Sequence, residues 1–215
     1  MIDKIKAKQK IENIFANYKS LTSADSSELA KLKGGKLYEI FVLSELIDKL
    51  KKIGFSISFR GSLIKFKAKG GFVKQSDPHF DIKSQDGRMY QVFVDVYTRT
   101  MGEKNGAKPD NSCYHEIDIA VFAQGIDNSS PHHDQVFLAI ECKDVANFTK
   151  NIVREVLGLR RELSYLTKSQ SSPIFETNVP ADPPSEVWLV CSDSRCLNYQ
   201  NSPRKYGVEI MHLAP

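Results

Sequence analysis

No run of about 18 apolar residues occurs in this 215-residue chain, which excludes a membrane-spanning helix as a reading of the sequence. The N-terminus is polar and lysine-rich rather than apolar, so it does not read as a secretory signal. Cysteine is scarce. Cys113, Cys142, Cys191 and Cys196 form no Cys-x-x-Cys pair, and no second ligand pair at zinc spacing accompanies Cys191 and Cys196. That argues against structural zinc, and reduced thiols fit a cytoplasmic protein. Neither a helix-turn-helix nor a zinc finger is recognisable, so a sequence-reading module is not written into the chain. Internal repeats and low-complexity tracts are missing as well.

What is present suits one compact α/β domain spanning residues 1–215. A hydrophobic content of 41% is enough to bury one large core. Residues 2–18 form a basic amphipathic helix through Ile5, Ile11, Ile14, Phe15 and Tyr18, a helical extension over residues 1–25 that can dock on the core or on another subunit. A serine-rich break at Ser20 to Ser27 then caps the next helix. Strands are expected near Phe55 to Phe59 and Leu63 to Phe66, with a hairpin from His79 to Tyr97 turning at Asp86-Gly87. Ser169 to Pro184 reads as a linker, followed by strands at Glu186 to Ser192 and Val208 to Leu213, within residues 186–213.

The chemistry concentrates in two further strands. His115 to Phe122 and Phe137 to Asp144 both alternate polar and apolar residues and flank a loop rich in Gly, Asn, Ser and Pro. In a symmetric antiparallel hairpin, Asp118 faces Glu141, since their midpoint falls between Ser129 and Ser130 inside the loop. Parity places Glu116, Asp118, Ala120 and Phe122 on one face, and Ile117, Ile119 and Val121 on the other. Two adjacent carboxylates resist joint ionisation unless a cation lies between them. An all-oxygen seat suits Mg²⁺, with Mn²⁺ as a substitute. Lys143 projects beside the same spot, where an ammonium can orient a water and offset charge building on a phosphorane-like transition state. An ion-paired surface hairpin is the other explanation, but the apolar neighbours of these acids place them on buried strands, where unpaired acids are costly. Glu116 faces Lys143 by the same register and can orient it or extend the metal site. Asp95, on the preceding hairpin, is the rival aspartate.

A helix over Lys36 to Lys52 brings a third acid. Glu39 shares the buried stripe of Leu43 and Ile47, while Glu45 and Asp48 lie nearer solvent. The alternative for Glu39 is a cap or rim position. The order of helix with Glu39, strand with Asp118, strand with Glu141-x-Lys143, then helix resembles the PD-(D/E)xK nuclease superfamily, with the match running over residues 34–166. Glu116-Ile117 stands where a proline often precedes the acid. The resemblance implies a restriction-endonuclease-like mixed β-sheet flanked by helices, here with an N-terminal helix and an inserted hairpin. It also implies a Mg²⁺-dependent endonuclease with Asp118 and Glu141 as metal ligands, Lys143 as catalytic lysine and Glu39 as a supporting acid. The alternative is a non-catalytic nucleic-acid-binding or assembly subunit that keeps the fold.

Double-stranded DNA is the expected partner, bound by Lys65, Lys67, Lys69 and Lys74, which interleave with aromatics on an apparent strand, and by Arg154. A lysine-protected edge strand is the other explanation for the first four. Arg154, Arg160 and Arg161 ride on the helix after the lysine motif, whose packing stripe is Phe148, Ile152, Val156, Leu159, Leu163 and Leu166, so the arginines are expected to face water or ligand. Thr100 to Ser112 reads as a loop, and His132, His133 and Asp134 as surface residues at a loop tip. A homodimer or a partner protein would then supply specificity.

Overall fold

The computed structural model describes residues 2–67, 69–106, 108 and 110–215. Helices α1 (Lys4–Ala16), α2 (Ser23–Lys31) and α3 (Gly34–Lys52) come first, then strands β1 (Ser56–Arg60), β2 (His79–Lys83) and β3 (Met89–Arg99). A short helix α4 (Met101–Lys104) leads to β4 (Tyr114–Ala123) and β5 (Val136–Lys143). There follow α5 (Lys150–Leu163), β6 (Tyr165–Ser171), β7 (Asn178–Asp182), β8 (Glu186–Cys191), α6 (Asn201–Arg204) and β9 (Val208–His212). Seven strands make one mixed sheet in the order β1-β2-β3-β4-β5-β8-β9, antiparallel from β1 to β5 and parallel from β5 to β9. Helices cover both faces, as an α/β reading requires.

Each helix earns its place by its apolar stripe. Asp3 caps α1 by accepting from Ile5 N and Lys6 N, and Ala7, Ile11, Ile14 and Phe15 then fall on one buried face. α1 lies on α3, helped by Lys10, which pairs with Glu45 (3.1 Å) and Asp48 (3.6 Å). α3 is therefore sandwiched between α1 and the sheet, which explains why Leu37, Tyr38, Ile40, Phe41, Leu43 and Ile47 are all buried around its circumference. α5 packs on the opposite face through Val153, Val156, Leu159 and Leu163. No helix among the described residues is long and apolar enough to cross a membrane.

Several local expectations are corrected. The serine-rich stretch is itself a helix, α2, because Thr22 and Asp25 close a capping box at its start. Asp25 is fully buried and also accepts from Ile64 N (2.9 Å), tying α2 to the segment after β1. Among its described residues that segment, 61–78, forms no strand: its backbone makes isolated bridges, Gly71 with Val96 and Val73 with Ser129. Ala68 in the expected basic strand, and Ala107 and Pro109 in the expected loop, lie outside the described residues. Ser169 to Pro184 is no linker, since β6 and β7 pair there as a second, two-stranded sheet.

Arg160 does not face water. Its guanidinium is buried, donating to the Ser185 carbonyl (2.7 Å) and to the hydroxyls of Ser185 and Ser164. Leu166, placed by periodicity in the packing stripe, is exposed because α5 ends at Leu163 and the chain turns into β6. His133 is buried, its Nδ1 3.0 Å from the Leu163 carbonyl, rather than at the surface.

Candidate metal centre

The β4–β5 ladder has the register the sequence implies. Ile119 pairs with Ile140, Ala120 with Ala139 and Val121 with Leu138; the paired rungs end at Ile119–Ile140, and the same register continued one step would bring Asp118 opposite Glu141. The carboxylate of Asp118 caps that end of the ladder by accepting from Cys142 N at 2.7 Å.

A second irregularity brings in Asp95. β3 and β4 pair in one continuous register, with Val94 opposite Ile119 and Val96 opposite Ile117, but the rung between them, Asp95 with Asp118, is not formed. Asp95 has φ +52°, a left-handed conformation that few non-glycine residues adopt and that clusters at functional sites. The alternation of faces reverses there. Val94 and Ile119 pack under α3, whereas Val96 and Ile117 join the cluster beneath α5. Ile117 therefore parts from Ile119 and Val121, contrary to simple parity, and the two aspartates are released from the ladder.

Glu39 reaches the same point from α3. Carboxylate oxygens of Glu39, Asp95 and Asp118 lie within 4.8 Å of one another, the spacing that one cation can bridge. Lys36, one turn earlier on α3, donates to both Glu39 and Asp95. Glu141 stands beside this trio rather than inside it. Its Oε2 accepts from Lys143 Nζ at 3.3 Å, while its Oε1 is buried and accepts no hydrogen bond among the described residues. The group is thus Glu39, Asp95 and Asp118 with Glu141 alongside, not the pair Asp118 and Glu141 alone.

Electrostatics follow from crowding. Burial pushes the Glu141 carboxyl up to about 8, with the nearby Asp118 reinforcing and Lys143 opposing. Burial likewise raises Glu39 to about 7, with Lys36 opposing and Asp118 reinforcing. Asp95 and Asp118 are raised too, chiefly by burial, against Lys36 for the first and the Cys142 amide for the second. For Lys143 burial favours the neutral amine, but Glu141 and Asp118 outweigh it and hold the ammonium charged. Four carboxylates with two ammonium groups leave excess negative charge in a poorly hydrated place. All available donors are oxygen, the set that hard divalent cations take.

Glu116 does not orient Lys143. It accepts from Gly70 N at 2.7 Å and so fastens the segment between β1 and β2 to this end of the sheet. Of the expected nucleic-acid contacts, Lys65, Lys69, Lys74 and Arg154 are exposed, whereas Lys67 is half-buried and held by Asp77 (2.5 Å) and the Phe72 carbonyl (2.7 Å). A cavity of about 390 Å³ between α3, β8 and β9, lined by Leu46, Trp188 and Ile210 among others, does not include the acids.

Sequence reasoning missed Lys36, although its place three residues before Glu39 puts the two side by side on a helix. Comparison with models of protein families, with curated proteins and with solved structures finds no match for this chain.

Proposed function

We propose that this chain is a metal-dependent phosphodiester hydrolase acting on nucleic acid, DNA in the first instance, built on the restriction-endonuclease-like plan of the PD-(D/E)xK superfamily. The observation that carries the reading is Glu141 Oε1, a buried carboxylate oxygen with no hydrogen-bond donor among the described residues, set beside three more carboxylates. Leaving such an oxygen unsatisfied is expensive unless a cation completes it. The element order supports the same reading: α3 with Glu39, β4 with Asp118, β5 with Glu141 and Lys143, α5, then β8 parallel to β5.

Asp118, Glu39 and Asp95, with Glu141 alongside, would hold Mg²⁺ or Mn²⁺, which supplies Lewis-acid polarisation of a phosphate oxygen and a more acidic bound water. The protein's own groups do the rest. Cys142 N fixes Asp118, and Lys36 neutralises Glu39 and Asp95 while keeping them together. Lys143, held charged by Glu141, orients the attacking water and stabilises charge that develops on the phosphoryl oxygens. Specificity falls to a second copy of the chain or to a partner protein.

The test is cleavage of labelled duplex DNA, single-stranded DNA and RNA in Mg²⁺, Mn²⁺ or EDTA. Metal-dependent cleavage that drops by about 100-fold or more in Lys143→Met and in Asp118→Asn supports the reading. Cleavage unchanged in both variants, or none on any substrate, overturns it; in the second case a non-catalytic binding subunit becomes the better account.

A further inference from the structure

Phe72 is half in water, 49% exposed, yet the chain around it is firmly held. On one side Gly71 N donates to the Asp95 carbonyl (3.1 Å) and Tyr97 N to the Gly71 carbonyl (2.9 Å); on the other Val73 N donates to the Ser129 carbonyl (2.8 Å). The carbonyl of Phe72 itself accepts from Lys67 Nζ. Gly70 sits so close to the strands that an added Cβ would fall 2.5 Å from Glu116 Cδ and 2.6 Å from Tyr97 Cε1. A phenyl ring is therefore presented to solvent from a backbone clamped to the residues that flank the acid cluster.

The ring is backed by others. Its centroid lies 6.3 Å from that of Tyr114, which lies 6.4 Å from Tyr97. Tyr97 pairs with Glu116, two residues along from Asp95 and Asp118 respectively, a distance of roughly 7 Å along the strands. Lys65 and Lys69 in the same segment are exposed, with Lys65 acting at a distance on Glu28 of α2, and both present positive charge to solvent. A pinned aromatic face on a segment that also carries exposed lysines is a combination by which proteins hold unpaired bases, because stacking needs a π-face that a duplex keeps inside its own stack.

We propose that Phe72, backed by Tyr114 and Tyr97, is a stacking platform for an unpaired nucleobase next to the acid cluster, and that single-stranded or locally unpaired nucleic acid is the preferred substrate. The inference rests on the hydrolase reading for its choice of ligand.

The test is binding in EDTA, where nothing is cut, of a short single-stranded oligonucleotide and of the matching duplex. Phe72→Ala weakens single-strand binding about tenfold and duplex binding by less than about twofold. Phe72→Leu, which keeps the apolar bulk but loses the π-face, shows the same loss. Phe72→Trp adds an exposed indole to the one native tryptophan, the buried Trp188, and its fluorescence is quenched by the single strand beyond any change in the wild type. Equal losses for both ligands, full retention in Phe72→Leu, or no added quenching overturns the platform. The two readings fail separately. Cleavage lost in Lys143→Met with no strand preference altered in Phe72→Ala removes the platform alone; stacking without cleavage in any metal removes the hydrolase alone.

Discussion

Asp95 and Asp118 stand opposite each other at the one rung that the β3–β4 register skips, and Asp95 pays for its position with a left-handed backbone. Breaking the ladder there frees both side chains to approach Glu39 on α3, instead of leaving both on the face of Phe93 and Ala120 as a regular sheet would. The local cost falls where the charge is concentrated, which is the pattern expected of a binding centre.

Crowded acids make stability depend on pH in a definite direction. Glu141 and Glu39 ionise in the unfolded chain near pH 4.3, roughly the ordinary glutamate value, but in the folded protein only near about 8 and about 7. Between those limits the native state holds more protons than the unfolded one, so metal-free stability falls as pH rises; below them the groups contribute no difference. Thermal melts in EDTA at pH 5.5 and pH 8 should show a drop that is smaller in Glu141→Gln than in the wild type. Mg²⁺ should restore stability at pH 8 far more than at pH 5.5, because ligation requires the ionised carboxylates. An identical drop in wild type and variant contradicts this account.

Gly70→Ala probes the clamp under the aromatic platform. The new methyl collides with Glu116 and Tyr97, so the segment must lift off the strand ends at a cost of about 1–3 kcal/mol. Single-strand binding should fall at least as far as in Phe72→Ala, while Mn²⁺ affinity stays within about threefold, since the methyl meets Glu116 and Tyr97 and reaches the cluster only through the backbone bond of Gly71 N to the Asp95 carbonyl. Titration calorimetry and oligonucleotide binding on the same preparation check both halves.

Arg160→Met removes the buried guanidinium that joins α5 to the turn before β8. The Ser185 carbonyl and the hydroxyls of Ser164 and Ser185 lose their donor, which should cost about 2 kcal/mol in chemical denaturation. Metal binding at the far end of β5 should be unaffected. A variant as stable as the wild type would mean that these groups find other partners.

The register of β4 and β5 from Ile119 to Val121 was legible from a symmetric hairpin, although the register shifts between Val121 and Phe122, where Phe122 pairs with Val136. α3 and α5 were legible from their stripes. Parity failed at Asp95, since a single residue with positive φ reverses every face beyond it and nothing in Val94-Asp95-Val96 announces that. Arg160 was misread for a different reason: helical periodicity marks an arginine as outward, and only the tertiary neighbours Ser164 and Ser185 can satisfy one inside. The hairpin of β6 and β7 hid in a Ser- and Pro-rich stretch whose residues carry little strand propensity.

Mn²⁺ titrated calorimetrically into the protein at pH 8, alongside Asp118→Asn, tests the central claim most directly. The account predicts saturable binding that releases protons and is weakened at least about tenfold in the variant. No binding to the wild type, or equal binding to both proteins, would contradict it.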